Sequence, residues 1–160
     1  MPNTGDEFLH IVLVEPEIPQ NTGNIARTCA LTKSTLHLVK PLGFSISDRY
    51  LKRAGLDYWD KVELRVWEDF AEAAACFKRQ RIYLATTQAK VYYHQICYRP
   101  DDVLVFGKET QGLPPHLLRE YSSSLLRIPM LDIGRSLNLS NSVAIILYEA
   151  LRQQDYGGLT

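Results

Sequence analysis

Three stretches of this chain bring together residue types that could do chemistry. Asn21-Thr22-Gly23-Asn24-Ile25-Ala26-Arg27 follows an apolar run and opens a helical pattern. Free N–H groups at a helix start favour an anion, and Asn21 or Asn24 is placed to cap them. With Asn24 as the cap, Arg27 falls in the first turn, where the macrodipole disfavours a cation. On its own the motif is explained about equally well by a surface arginine in a capped helix. Gly107-Lys108-Glu109-Thr110-Gln111-Gly112 has the glycine spacing of the front of a phosphate loop, but Leu113-Pro114 stand where Lys and Ser/Thr are needed. GxGxxG is absent too, so the common nucleotide folds gain no support, and a glycine turn after a strand is more often geometry than site. The third stretch, Gly134-Arg135-Ser136-Leu137-Asn138, carries more hydrogen-bond donors than a simple connection needs, which favours a site there.

A fourth stretch, residues 48–59, interleaves Arg49, Lys52 and Arg53 with Tyr58 and Trp59. Cations beside aromatics suit a phosphate backbone and a stacked base, although a solvated helix face is the commoner meaning of such a run. Metal chemistry has no such footing. His10, His37, His94 and His116 show no HxxxH, and Cys29, Cys76 and Cys97 form no CxxC pair, so no metal site is expected. Scattered thiols of this kind suit a reducing cytoplasm. Lys and Arg number 18, as do Asp and Glu, so any contact with nucleic acid must come from a local patch, not from net charge. No apolar run approaches a membrane span, and the start does not read as a signal peptide.

The elements that must position these loops follow from periodicity. Short apolar runs at 9–14, 36–39, 62–66, 81–85, 103–106 and 125–128 read as buried strands. Between them lie helical patterns from Asn21, over 47–54, over about 68–77 and over 115–120, while 86–101 reads as irregular. The last helix, 139–152, places Leu139, Val143, Ile146 and Ala150 on one face, yet its other faces are apolar as well. Such a helix needs cover from more than one side, and in 160 residues a second subunit is a reasonable second cover. Ser136, Asn138 and Ser140 are its candidate caps. Strands alternating with helices predict one α/β domain over 1–160 with a parallel sheet flanked by helices, frayed at 1–7 and 154–160.

Taken in order, each after a strand, the three loops resemble the motifs of the SPOUT superfamily of RNA methyltransferases. Glu15-Pro16-Glu17-Ile18-Pro19-Gln20-Asn21-Thr22-Gly23-Asn24-Ile25, Gly55-Leu56-Asp57-Tyr58 and Arg135-Ser136-Leu137-Asn138-Leu139-Ser140-Asn141 look most like the TrmL (YibK) group, tRNA wobble-nucleotide 2′-O-methyltransferases. The resemblance covers roughly 9–153. It implies a C-terminal trefoil knot, a homodimer, and S-adenosylmethionine held by Ala85 and Thr86, by Gly107, and by Ile128, Ser136 and Leu137. It also implies Arg27 as the catalytic residue, with Asn24, Glu109 and Asn138 in support. Lys108 stands where relatives tend to have Pro, and Gln88-Ala89-Lys90 replaces a more usual Lys-Gly turn.

Such an enzyme would act in the cytoplasm on the ribose of the wobble cytidine or modified uridine. With no appended RNA-binding domain, Arg49, Lys52 and Arg53 become the expected contacts to the anticodon stem-loop. The alternatives are a SPOUT-like module that binds RNA without transfer, and a 2′-O-methyltransferase for another tRNA or rRNA position.

Overall fold

The computed structural model describes residues 7–47, 49–54 and 58–160. Expectations resting on residues 1–6, Asp48, Gly55, Leu56 and Asp57, and on the side chain of Lys52, lie outside the described residues. The chain runs β1 (His10–Val14), α1 (Pro19–Thr32), β2 (Thr35–Val39), α2 (Arg49–Ala54), β3 (Leu64–Trp67), α3 (Phe70–Ala75), β4 (Ile82–Ala85), β5 (Val103–Phe106), α4 (Pro115–Glu120), β6 (Leu125–Leu126) and α5 (Leu139–Gln153). Among the described residues six parallel strands form one sheet in the order β3-β2-β1-β5-β4-β6.

Side chains alternate across the sheet, and the two faces collect different partners. Ile11, Leu13, Leu36, Leu38, Leu104 and Phe106 pack with Ile25 and Cys29 of α1 and with Val143, Ile146 and Leu147 of α5. Val12, Val14, Val39, Val103 and Val105 face Phe70, Ala73 and Leu117 of α3 and α4. In α5 the expected stripe of Leu139, Val143, Ile146 and Ala150 is buried, and Leu147 and Leu151 widen it. Asn138 is the cap of that helix, its side chain accepting from the N–H groups of Ser140 and Asn141.

Several boundaries move from their predicted places. α1 starts at Pro19, two residues before Asn21, because Pro suits the first helical turn and no side chain of Ile18 is needed as a cap. The predicted strand at 62–66 shifts to 64–67, and α3 is clipped to Phe70–Ala75, where Asp69 accepts from Glu72 N at 2.8 Å. Within the stretch expected to be irregular, Tyr93–Gln95 makes a 3-10 turn and Tyr92 bridges to Arg127. Residues 154–160, expected to fray, carry a further turn at Asp155–Gly158 and lay Leu159 against the core.

On the α3 side the sheet buries a polar chain of rings. Trp67 Nε1–H donates to His37 Nδ1 at 3.0 Å, which leaves the Nε2–H of His37 to donate to His10 Nδ1, also at 3.0 Å. Burial, then His10 and Arg65, push the His37 pKa down to about 3 from 6.5. A neutral folded imidazole therefore stabilises the fold above pH 6.5, and this contribution is lost as pH falls from there towards 3. By NMR the ring of His37 should show no titration between about pH 5 and 8, and thermal stability should decline through the acid window. A midpoint near the ordinary histidine value would contradict the buried neutral ring.

Candidate active site

Parallel strands point their C-terminal ends towards one edge of the sheet, and the loops that leave them there enclose a cavity of about 570 Å³. Ala85 and Thr86 after β4, Gly107 after β5, Ile128 after β6, and Ser136 and Leu137 before α5 all line it. These are the six residues expected to hold a cofactor. Phe106, Leu113, Leu139 and Ile146 give it apolar wall, while the loops contribute polar groups. Volume and lining fit a small organic ligand with both apolar and polar parts.

Gly107 is what lets the second loop close. A Cβ built there would lie 2.1 Å from the carbonyl carbon of Gly112 and 2.3 Å from Leu113 N. Gly112 N donates to Lys108 O at 2.9 Å, and Gly112 itself has φ +67°, a conformation in which a side chain is strained. The two glycines read from the sequence as a possible mere turn are thus a turn that forms the cavity wall.

Glu109 does not reach into this space as a free acid. Its carboxylate accepts from Glu17 N at 2.8 Å, Ile18 N at 3.0 Å and Asn21 Nδ2 at 3.3 Å, so it holds the entry to α1 from a distant loop. Glu17 answers in kind, accepting from Thr110 Oγ1 at 2.6 Å and Thr110 N at 3.3 Å, and the Thr110 hydroxyl holds its pKa below the usual glutamate value. Asn21 continues the connection. Its Oδ1 accepts from Asn138 Nδ2 at 3.1 Å, while Asn138 Oδ1 accepts from Ser140 N at 2.9 Å and Ser140 Oγ at 2.6 Å. One polar chain, Glu109–Asn21–Asn138, therefore ties the starts of α1 and α5 to the loop after β5.

This arrangement corrects the reading of the first motif. Asn21, weighed from sequence only as a cap, is the buried asparagine in the network, whereas Asn24 is exposed and its carbonyl accepts from Thr28 Oγ1 at 3.2 Å. Pro19 carried the missed signal: as the first residue of α1 it draws Asn21 inside the helix. Arg27 consequently sits in the third turn, and the macrodipole argument for it falls away. It is exposed, does not line the cavity, and sets its guanidinium 5.0 Å from the ring centroid of Tyr58. Arg49 and Arg53, on α2, are exposed and lie outside the cavity wall.

The charged residues of the cavity are Lys108, Glu109, Arg127 and Arg135. With Glu109 engaged by α1, and Lys108 Nζ 3.9 Å from Glu15, the remaining field is cationic. Among the described residues no group of three His, Cys, Asp or Glu is placed to hold a metal ion, and no helix is long and apolar enough to cross a membrane.

Comparison with known proteins agrees with this geometry. Residues 8–148 match the SpoU rRNA Methylase family. A relative from Methylovorus glucosotrophus (strain SIP3-4), named a tRNA (cytidine(34)-2'-O)-methyltransferase, is 48% identical over 149 residues, 92% of this chain and 97% of its own length. A solved structure described as "Structural insights into the 2-OH methylation of C/U34 on tRNA" superposes with a TM-score of 0.89 at 43% identity, covering 94% of this chain and 99% of that one. An AdoMet-bound rRNA methyltransferase from Sinorhizobium meliloti superposes with a TM-score of 0.81 at 25% identity, over 92% of this chain and 57% of that one.

Proposed function

Because the chain belongs to the SpoU rRNA methylase family, we propose that it transfers a methyl group from S-adenosylmethionine to the ribose 2′-hydroxyl of the tRNA wobble nucleotide, cytidine or a modified uridine. The observation that carries this reading is the convergence of three separate loops on one cavity whose rim is tied together by Glu109, Asn21 and Asn138. The cofactor, when bound, supplies an electrophilic methyl, so the protein's task is placement. Ala85, Thr86, Gly107, Ile128, Ser136 and Leu137 hold the cofactor. Glu109 and Asn138 are positioning residues, since their acceptors are already taken by the two helix starts. Arg27, always protonated, stabilises charge on the reacting ribose or its phosphate instead of removing a proton.

The test is methyl transfer to bulk tRNA from a strain lacking this gene, with EDTA present and nucleoside mass spectrometry of the product. A 2′-O-methylated wobble nucleotide is expected. Methylation at another tRNA or rRNA position, or RNA binding without transfer, would replace the reading.

The working form is proposed to be a cytoplasmic homodimer. Support for the dimer comes from apolar side chains left open on α1 and α5 and the loop between β6 and α5: Leu31 (54% exposed), Tyr148 (45%), Leu131 (77%) and Ile133 (87%). Sedimentation should give twice the 18.3 kDa chain mass, and Ile145→Glu with Tyr148→Glu should shift it to the monomer. A wild-type monomer at micromolar concentration would contradict this.

The C-terminal segment is read as a trefoil knot, supported by a strand order that puts β6 beyond β4 while residues 128–138 return to the cavity. Pulling the termini apart should then stop short of the full contour length, and reaching that length would exclude the knot. Arg49, Lys52 and Arg53 are proposed to meet the anticodon stem-loop. Changing all three to Ala should flatten the salt dependence of tRNA binding, because each lost phosphate contact lowers the slope by about 0.7 to 0.9. An unaltered slope would make them ordinary solvated residues.

A further inference from the structure

Three buried side-chain polar atoms have no partner among the described residues: Thr22 Oγ1, Arg127 Nε and Gln154 Nε2. Of the three, only Arg127 belongs to a residue that lines the cavity. Its backbone is pinned on both sides, with its N–H donating to Val91 O at 2.9 Å and its C=O accepting from Tyr93 N at 2.8 Å. The side chain therefore leaves a fixed point just after β6, directly before Ile128. Its guanidinium forms no hydrogen bond or ion pair with another described residue. A donor shut off from water without an acceptor is costly, and a native fold keeps one where something outside the chain supplies the acceptor.

We propose that Arg127 is the residue that grips the carboxylate at the amino-acid end of S-adenosylmethionine. The assignment rests on reading the cavity as the cofactor site. Arginine is permanently charged and presents its N–H groups in a planar fork that matches a carboxylate. On the cofactor the carboxylate is the one anionic group; the ammonium and sulfonium would be repelled, and the nucleoside is neutral. An RNA phosphate is the competing anion, and position decides against it. Arg135 lies in the exposed stretch 131–138 at the cavity rim, within reach of a polyanion arriving from solvent, and Lys108 is drawn towards Glu15 at 3.9 Å. Arg127 is half-buried in the wall, with Nε inaccessible, so a ligand inside the cavity reaches it and a backbone passing outside does not. Arg127 thus sets cofactor affinity and discriminates against adenosine thioethers that lack the amino-acid end.

The experiment is titration calorimetry of the wild type, Arg127→Gln and Arg127→Lys with two probes. S-adenosylhomocysteine carries the carboxylate; 5′-methylthioadenosine has the same adenosine and thioether without it. Arg127→Gln should weaken S-adenosylhomocysteine about 10- to 100-fold, the range for a hydrogen bond to a charged group, and leave methylthioadenosine unchanged. Arg127→Lys, keeping the charge but losing the fork, should fall between. Unchanged methylthioadenosine binding also shows that the cavity is intact in the variants. Equal losses for both probes would place Arg127 against the nucleoside or in the fold of the wall, and overturn the assignment. Unchanged S-adenosylhomocysteine binding with weakened tRNA binding would hand the residue to a phosphate and overturn it as well. A wild type that bound neither probe would remove the cofactor reading itself.

Discussion

Arg27→Ala is expected to lower methyl transfer by about 10²- to 10³-fold, the usual cost of removing one preorganised donor to developing charge. Cofactor affinity should stay within a factor of about two, because Arg27 lines no part of the cavity that holds the cofactor loops. Stability should barely move: the stacking on Tyr58, at 5.0 Å, is an exposed cation–π contact worth about 0.5–1 kcal/mol. The electrostatic case for this residue no longer depends on a helix N-terminus. It depends on an exposed, permanently charged group on α1, about 1.7 turns beyond the asparagine that joins the rim network. Arg27→Lys should fail to rescue if the planar fork is what the reacting ribose phosphate meets. The pair of measurements is single-turnover transfer and cofactor calorimetry. Cofactor affinity falling in step with activity would make Arg27 structural, and full activity in the alanine variant would take it out of the mechanism.

Gly107→Ala should strike both properties that Arg27→Ala separates. The added carbon meets backbone at 2.1 and 2.3 Å, atoms that cannot rotate out of the way, so the turn from Lys108 to Gly112 must open. Overpacking of this kind costs about 3 kcal/mol or more, and the melting temperature should drop by about 6–12 °C. Opening the turn also pulls Glu109 from the start of α1 and removes one wall of the cavity, so cofactor binding should weaken by about 100-fold at least, a loss of about 2.7 kcal/mol. Gly134→Ala is the control, since nothing lies within 4 Å of a Cβ there and its φ needs no glycine, so the melting temperature should hold. Near-native melting and cofactor affinity in Gly107→Ala would show that the loop has room the geometry denies.

Much of this molecule could be read without coordinates, and the division has a physical basis. The buried apolar run at 9–14 and the buried stripe of α5 depend on residues a few positions apart, so local spacing determined them, while Asn138 was one of three caps it offered. The order of strands and helices was legible for the same reason, and the three loops drew notice because each follows an apolar run. What tertiary structure decided were links between distant segments. α1 begins at Pro19, and the carboxylate of Glu109, 91 residues from Ile18, holds the backbone that enters it. Asn21 rather than Asn24 enters the network because Asn138 meets it from 117 residues away, and Arg27 leaves the first turn as a consequence. Arg127 gave no sign in the sequence, since an arginine after a strand is ordinary until its Nε is found buried and unpaired. Periodicity states which side of an element is buried, but not which loop arrives beside it; that follows from the order β3-β2-β1-β5-β4-β6, which brings the ends of β4, β5 and β6 to one cavity.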